Sequence, residues 1–203
     1  SHSIGLRLYF HQLLKQSYLD MYPDFGIMID GNFKYSHAGL MKADNLSAIQ
    51  GQLYIPGIAQ NHGMKIYGGI QRKVNNSIFS FSDIVKFPRG WNRIGSTLLS
   101  MTSADYKFPL LYPDFNLAGI MYFTRIKTSL FADYGQVEGN IYQKGEKAGK
   151  FKKTLFSTGT EIVADTKFLR FYAPSEIGVR TTWLPERDDV AVEFLLSIDF
   201  NAF

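Results

Sequence analysis

The chain has 203 residues, which sets one domain as the default, and its 45% hydrophobic content excludes a disordered polypeptide. It has no cysteine, which excludes a disulfide framework, a zinc ribbon and thiol catalysis. The net charge of +4 comes without a basic stripe interleaved with aromatics, so nucleic acid is not an expected partner. No apolar run approaches the ~18 residues of a transmembrane helix.

In chain order, the pattern that repeats is alternation with a period of two, which places successive side chains on opposite sides of a strand. Ile4, Leu6, Leu8 and Phe10 oppose Arg7 and Tyr9. Ile27, Ile29, Phe33 and Tyr35 oppose Asp30, Asn32 and Lys34. Ile49, Leu53 and Ile55 oppose Gln50, Gln52 and Tyr54, and Met64, Ile66 and Ile70 oppose Lys65, Tyr67 and Gln71. Ile126, Thr128, Leu130, Ala132 and Tyr134 oppose Lys127, Ser129, Phe131 and Asp133. Ile177, Val179, Thr181 and Trp183 oppose Glu176, Gly178, Arg180 and Thr182. In the last segment Val190, Val192, Phe194, Leu196, Ile198 and Phe200 share one face, with Glu193, Ser197 and Asp199 on the other. With two noisier stretches, the pattern predicts nine strands: 4–12, 25–37, 48–56, 63–73, 96–109, 119–135, 155–169, 175–184 and 190–200.

Alternation alone does not say which face is inside. A soluble β-sandwich or lipocalin-like barrel turns the apolar face inward, whereas a transmembrane β-barrel turns it outward to lipid. Strand length and connections favour the second. The connections 38–47, 74–95 and 136–154 are long or polar. Between them lie tighter turns at 56–63, 109–118 and 171–174, and the short 185–189 turn breaks the trend. Long loops at one end and short turns at the other are the outer-membrane pattern. Aromatics near strand ends (Tyr22, Phe25, Tyr35, Phe108, Tyr112, Phe115, Phe168, Phe171, Tyr172, Trp183 and Phe200) suit an interfacial girdle. The sequence Tyr22-Pro-Asp-Phe25 recurs as Tyr112-Pro-Asp-Phe115, and both copies are expected at one edge. Lys144, Lys147, Lys150, Lys152 and Lys153 cluster in the last long loop, a solvated segment or a contact for lipopolysaccharide phosphate.

The fold class expected is therefore all-β: an antiparallel transmembrane barrel segment spanning residues 1–203 as one domain. An odd strand count makes the two edge strands run parallel, so antiparallel closure by these strands alone is impossible. The expectation is a portion of a larger barrel, with N-terminal strands and any periplasmic domain lying upstream.

Two motifs carry a resemblance. Phe87-Pro-Arg-Gly-Trp91 lies in the longest loop, and Phe131-Ala-Asp-Tyr-Gly135 follows one strand later. Together they resemble the BamA and two-partner-secretion transporter superfamily of outer-membrane barrels. That family has an Arg-Gly-aromatic signature at the tip of an extracellular loop and a Phe-x-Asp-x-Gly signature on a later strand. Here Arg89, Gly90 and Trp91 match the first, with Pro88 in place of the usual branched aliphatic and Trp in place of the usual Phe or Tyr. Phe131, Asp133 and Gly135 match the second in full. The resemblance implies the second half of a barrel of about sixteen strands and an internal latch joining Arg89 to Asp133. It also implies a seam formed by the terminal strand through Val190, Val192, Phe194, Leu196, Ile198 and Phe200. Independently of the family, Asp105 on the preceding strand shares the face of Asp133 and is a second candidate acceptor for the guanidinium.

No catalytic constellation is found. The four histidines are scattered, no Gly-x-Ser-x-Gly elbow or phosphate-binding loop is present, and carboxylates such as Glu161, Asp165, Glu176 and Glu193 are expected to be solvated or ion-paired. Neither enzyme activity nor a metal or cofactor is expected. The expected function is insertion or translocation of polypeptides at the bacterial outer membrane. The expected partners are outer-membrane lipid and lipopolysaccharide, the remaining barrel strands, and client or accessory envelope proteins. The alternative is a passive outer-membrane barrel that anchors another domain. A third reading, a small soluble barrel for an apolar ligand, requires the apolar faces to point inward.

Overall fold

A computed structural model describes residues 2–37, 44–74, 81–118, 120–143, 146–168 and 174–198. Its strands are β1 (His2–Leu13), β2 (Gly26–His37), β3 (Asp44–Pro56), β4 (Gly63–Lys73), β5 (Leu98–Leu111), β6 (Phe115–Leu117), β7 (Met121–Gln143), β8 (Glu146–Phe168), β9 (Pro174–Leu184) and β10 (Asp189–Ile198). They form one antiparallel sheet in the order β1-β2-β3-β4-β5-β7-β8-β9-β10, with the short β6 folded back on β7. The sheet is not closed: among the described residues β1 pairs only with β2 and β10 only with β9. Nine strands in strict alternation leave these two edges running in the same direction, as the odd count requires.

The two faces differ in kind. The side chains read as an apolar stripe stand bare: Ile4 is 74% exposed, Leu130 49% and Phe194 70%. The polar face is buried along the middle strands, where Asp133, Asp105, Ser103, Lys127 and Gln71 all have less than a tenth of their surface exposed. What buries it is residues 81–97 of the β4–β5 connection, which lie across it. Their apolar side chains build a small core on that face. Val85 and Trp91 pack with Leu46, Tyr67, Leu99, Met101, Val137, Leu155 and Leu184. The long apolar stripes of the sheet thus stand on the uncovered face, while the covered face carries the charged rows together with this small core.

Three expectations need correction. Residues 136–143 and 146–154 are strand and not loop: β7 and β8 run through them, and their pairing continues to Gln143↔Glu146. The apolar period fades there because the hairpin outruns β5 and β9, so most of its outer positions have no neighbour to demand a branched or aromatic side chain. Lys150, Lys152 and Lys153 accordingly lie on a strand, and Lys144 lies outside the described residues. Second, the end expected to carry short turns includes the twelve-residue segment 14–25, so connection length does not alternate cleanly. Third, Tyr22 is no girdle residue. It turns onto the covered face, its hydroxyl accepting from Lys65 Nζ at 3.3 Å. Both Tyr-Pro-Asp-Phe copies do sit at the same end of the sheet, beside the β1–β2 and β5–β7 connections. Phe171, Tyr172, Asp199 and Phe200 lie outside the described residues.

Candidate functional site

Cross-strand register assembles the site. One row across the sheet reads Tyr67, Ser103, Asp133, Ser157, and the next reads Lys65, Asp105, Phe131, Gly159, Thr182. Both rows are on the covered face. The segment from β4 crosses above them, and Arg89 points down between them.

The Arg89 guanidinium meets Asp133 as a fork: Nε donates to Oδ2 at 2.8 Å and Nη2 to Oδ1 at 2.6 Å. The Arg89 backbone N–H donates to the same Oδ2 at 2.9 Å, so Asp133 holds both the side chain and the main chain of the loop. Nη1 donates to Asp105 Oδ1 at 2.6 Å and to Glu161 Oε1 at 3.2 Å, and Nη2 also donates to Ser103 Oγ at 2.9 Å. Ser103 Oγ in turn donates to Asp133 Oδ1 at 2.6 Å. The guanidinium lies 3.7 Å from the centre of the Phe131 ring, a cation–π contact. The sequence-derived pair Arg89 and Asp133 is therefore brought together, with Asp105 as the second acceptor.

Charge explains why so many carboxylates collect here. The ion pairs run Lys65–Asp105–Arg89–Glu161–Arg180–Glu193, with Asp133 bonded to Arg89. Asp133 is 0% exposed, and a buried carboxylate is tolerated only when paired and hydrogen-bonded. Burial works against the charge on Arg89, but Asp133 and then Asp105 outweigh it and raise the guanidinium above its already high ordinary pKa.

The glycines of both motifs are clearances. Gly90 has φ of 75°, in the left-handed region, and a Cβ there would come within 2.8 Å of Thr182 Cγ2. Gly135 faces Pro88, whose Cγ would lie 2.6 Å from an added Cβ. Phe-x-Asp-x-Gly thus reads, two residues at a time along one face of β7, as a ring under the cation, a carboxylate to bind it and a slot for the proline before it. Trp91 closes the latch: its Nε1–H donates to the Phe156 carbonyl at 3.1 Å, and Lys153 and Arg187 lie over its ring at 4.7 and 4.5 Å.

Several anchors have no motif. Gln71 holds the entering segment, its Oε1 accepting from the Ile84 N–H at 2.6 Å and its Nε2 donating to Asp83 at 2.5 Å. Tyr67 Oη accepts from the Lys86 N–H at 3.0 Å, and Lys73 pairs with Asp83 at 2.5 Å. Gly159 leaves room for the edge of the Phe131 ring, which would sit 2.8 Å from a Cβ there. The available signal was positional: Tyr67, Gln71 and Lys73 all fall on the polar face of β4, the strand that leads into the segment.

The terminal-strand side chains Val190, Val192, Phe194, Leu196 and Ile198 stand on the bare face, from 46% exposed at Ile198 to 70% at Phe194. Glu193, on the other face, accepts from Arg180 Nη1 at 2.9 Å. Among the described residues no cluster of three or more His, Asp or Glu side chains is placed to hold a metal ion. The arrangement is suited to fixing a segment of chain against the polar face of a sheet. Comparisons with protein-family models, with curated proteins and with solved structures find no match for this chain.

Proposed function

We propose that this chain forms part of a transmembrane β-barrel of the bacterial outer membrane, related to the BamA-like superfamily, and serves insertion or translocation of polypeptides there. The observation that carries the reading is the latch: an Arg-Gly-aromatic loop folded onto the polar face of the sheet and forked onto the aspartate of a Phe-x-Asp-x-Gly strand. The membrane part rests on the faces. A continuous exposed apolar surface over a sheet whose other face is charged suits strands with lipid outside and a polar lumen inside. Bare edges in hydrocarbon would cost several kcal/mol for each unpaired backbone group. In this reading β1 and β10 are therefore paired by further strands.

The latch would fix the geometry of the lumen, and the bare edge of β10 offers a row of backbone groups to a pairing strand. Because the chain has no cysteine, single cysteines at Val192, Glu193 and Phe194 test the membrane part directly. Water-soluble thiol reagents should reach position 193 and not 192 or 194; uniform labelling would remove the reading. Depleting the protein from its host tests the activity. Insertion or translocation predicts a fall in folded outer-membrane barrels or in secreted polypeptides, whereas a passive anchor predicts neither.

A further inference from the structure

The bare face changes character where β5 begins. Register places Arg72, Leu98, Glu138 and Lys152 side by side on that face. β5 starts at Leu98, so β7 and β8 continue beyond it without that neighbour. A groove of about 580 Å³ opens there, between the end of β4 and the β7–β8 extension, with Arg72, Val74, Glu138, Lys150 and Lys152 on its walls. Lys152 reaches Glu138 at 3.2 Å, whereas Arg72 and Lys150 form no ion pair among the described residues. The groove therefore carries a surplus of positive charge facing outward.

Two residues further along the same strands a second groove begins. It has a volume of about 450 Å³ and is lined by Ile49, Gly68, Ile70, Ser100 and Thr102. Small residues form its floor and isoleucines its sides. A Cβ added at Gly68 would meet nothing within 4 Å, so the space above it is open. Cations directly above an apolar furrow, on one face, match an amphiphile with an anionic head and a hydrocarbon tail.

We propose that the two grooves bind one lipid. Its phosphate lies between Arg72, Lys150 and Lys152, and an acyl chain runs over Gly68 and Ser100 between Ile49 and Ile70. The proposal rests on the reading of the bare face as lipid-facing, and it adds a site to that face. The phosphate group alone lacks the second half of the recognition, so a free phosphate ion is not the ligand.

The test compares phosphatidic acid with phosphatidylcholine of the same acyl chains, by mass spectrometry of intact complexes in neutral detergent. Phosphatidic acid should be retained preferentially. Arg72→Gln and Lys150→Gln should each weaken it about fivefold. Lys15→Gln, in the exposed segment at the other end of the sheet, should leave it unchanged. Gly68→Leu should weaken both lipids while keeping the preference between them. Equal retention of the two lipids, indifference to the Arg72 and Lys150 changes, or displacement of phosphatidic acid by equimolar inorganic phosphate would each overturn the site. Flotation of the protein with vesicles of phosphatidylcholine alone is read separately: its failure would remove the membrane reading, whereas flotation without a phosphate preference removes only this site.

Discussion

Two arginine–aspartate forks stand on the same face of the sheet and differ in almost everything but geometry. Arg7 donates to Asp30 through Nε at 2.9 Å and Nη2 at 3.0 Å, much as Arg89 does to Asp133. Arg7, however, is 63% exposed, on the uncovered flank of β1 and β2, while Asp133 is fully buried beneath the crossing segment. The first pair competes with water and salt. The second cannot be broken from one side without stranding a charge, and its carboxylate also carries the loop backbone. The lesson is that the fork itself contributes little; the covering segment is what makes the charge on Asp133 structurally decisive.

The largest expected effect follows directly. Asp133→Ala should lower stability by about 3–5 kcal/mol, because Arg89 loses its main partner in a largely closed site. Denaturant unfolding measures it, and Asp30→Ala in parallel should cost at most ~1 kcal/mol. Equal losses at the two positions would erase the distinction. Next in size, Gly135→Leu should push Pro88 out of its slot at a cost of about 1–3 kcal/mol. Gly68→Leu on the bare face of β4 is its control and should change stability little. With Trp183→Phe as background, the emission of Trp91 should shift to the red in the Gly135 variant and stay unchanged in the control. Trp91→Phe should cost about 1 kcal/mol, the usual worth of one hydrogen bond, here the one to the Phe156 carbonyl. Smallest of all should be the effect of Arg7→Ala, and it should fade further as salt is added.

The sequence showed the strands wherever bare apolar side chains alternate with polar ones. β2, β4 and β10 were legible because branched and aromatic residues stand along the bare face opposite polar ones, so the period of two survives in Ile27–Ile29 or Val190–Phe194. The hairpin arms around 136–154 were not legible. Beyond Glu138 β7 no longer has β5 beside it, and before Thr158 β8 lacks β9, so the pairing of the two arms with each other is held by backbone hydrogen bonds that any residue supplies. In the latch, Arg89 and Asp133 were readable because a motif marks each. Glu161 and Ser103 join through register, which depends on which residue stands opposite which, a relation no single strand contains. Gln71 and Tyr67 were visible only as polar residues on the right face; that they bind the crossing segment depends on where that segment runs.

Strand order carries one more consequence. Each main strand pairs with the next in sequence, so the sheet can grow by adding one neighbouring strand at a time. The latch cannot follow that schedule. Arg89 must wait for partners 44 residues away at Asp133 and 72 away at Glu161, both made after it on the chain. The loop therefore docks only once β7 and β8 are in place, which makes the closed latch a report on completed assembly and leaves the charged face of a half-built sheet open to water until then.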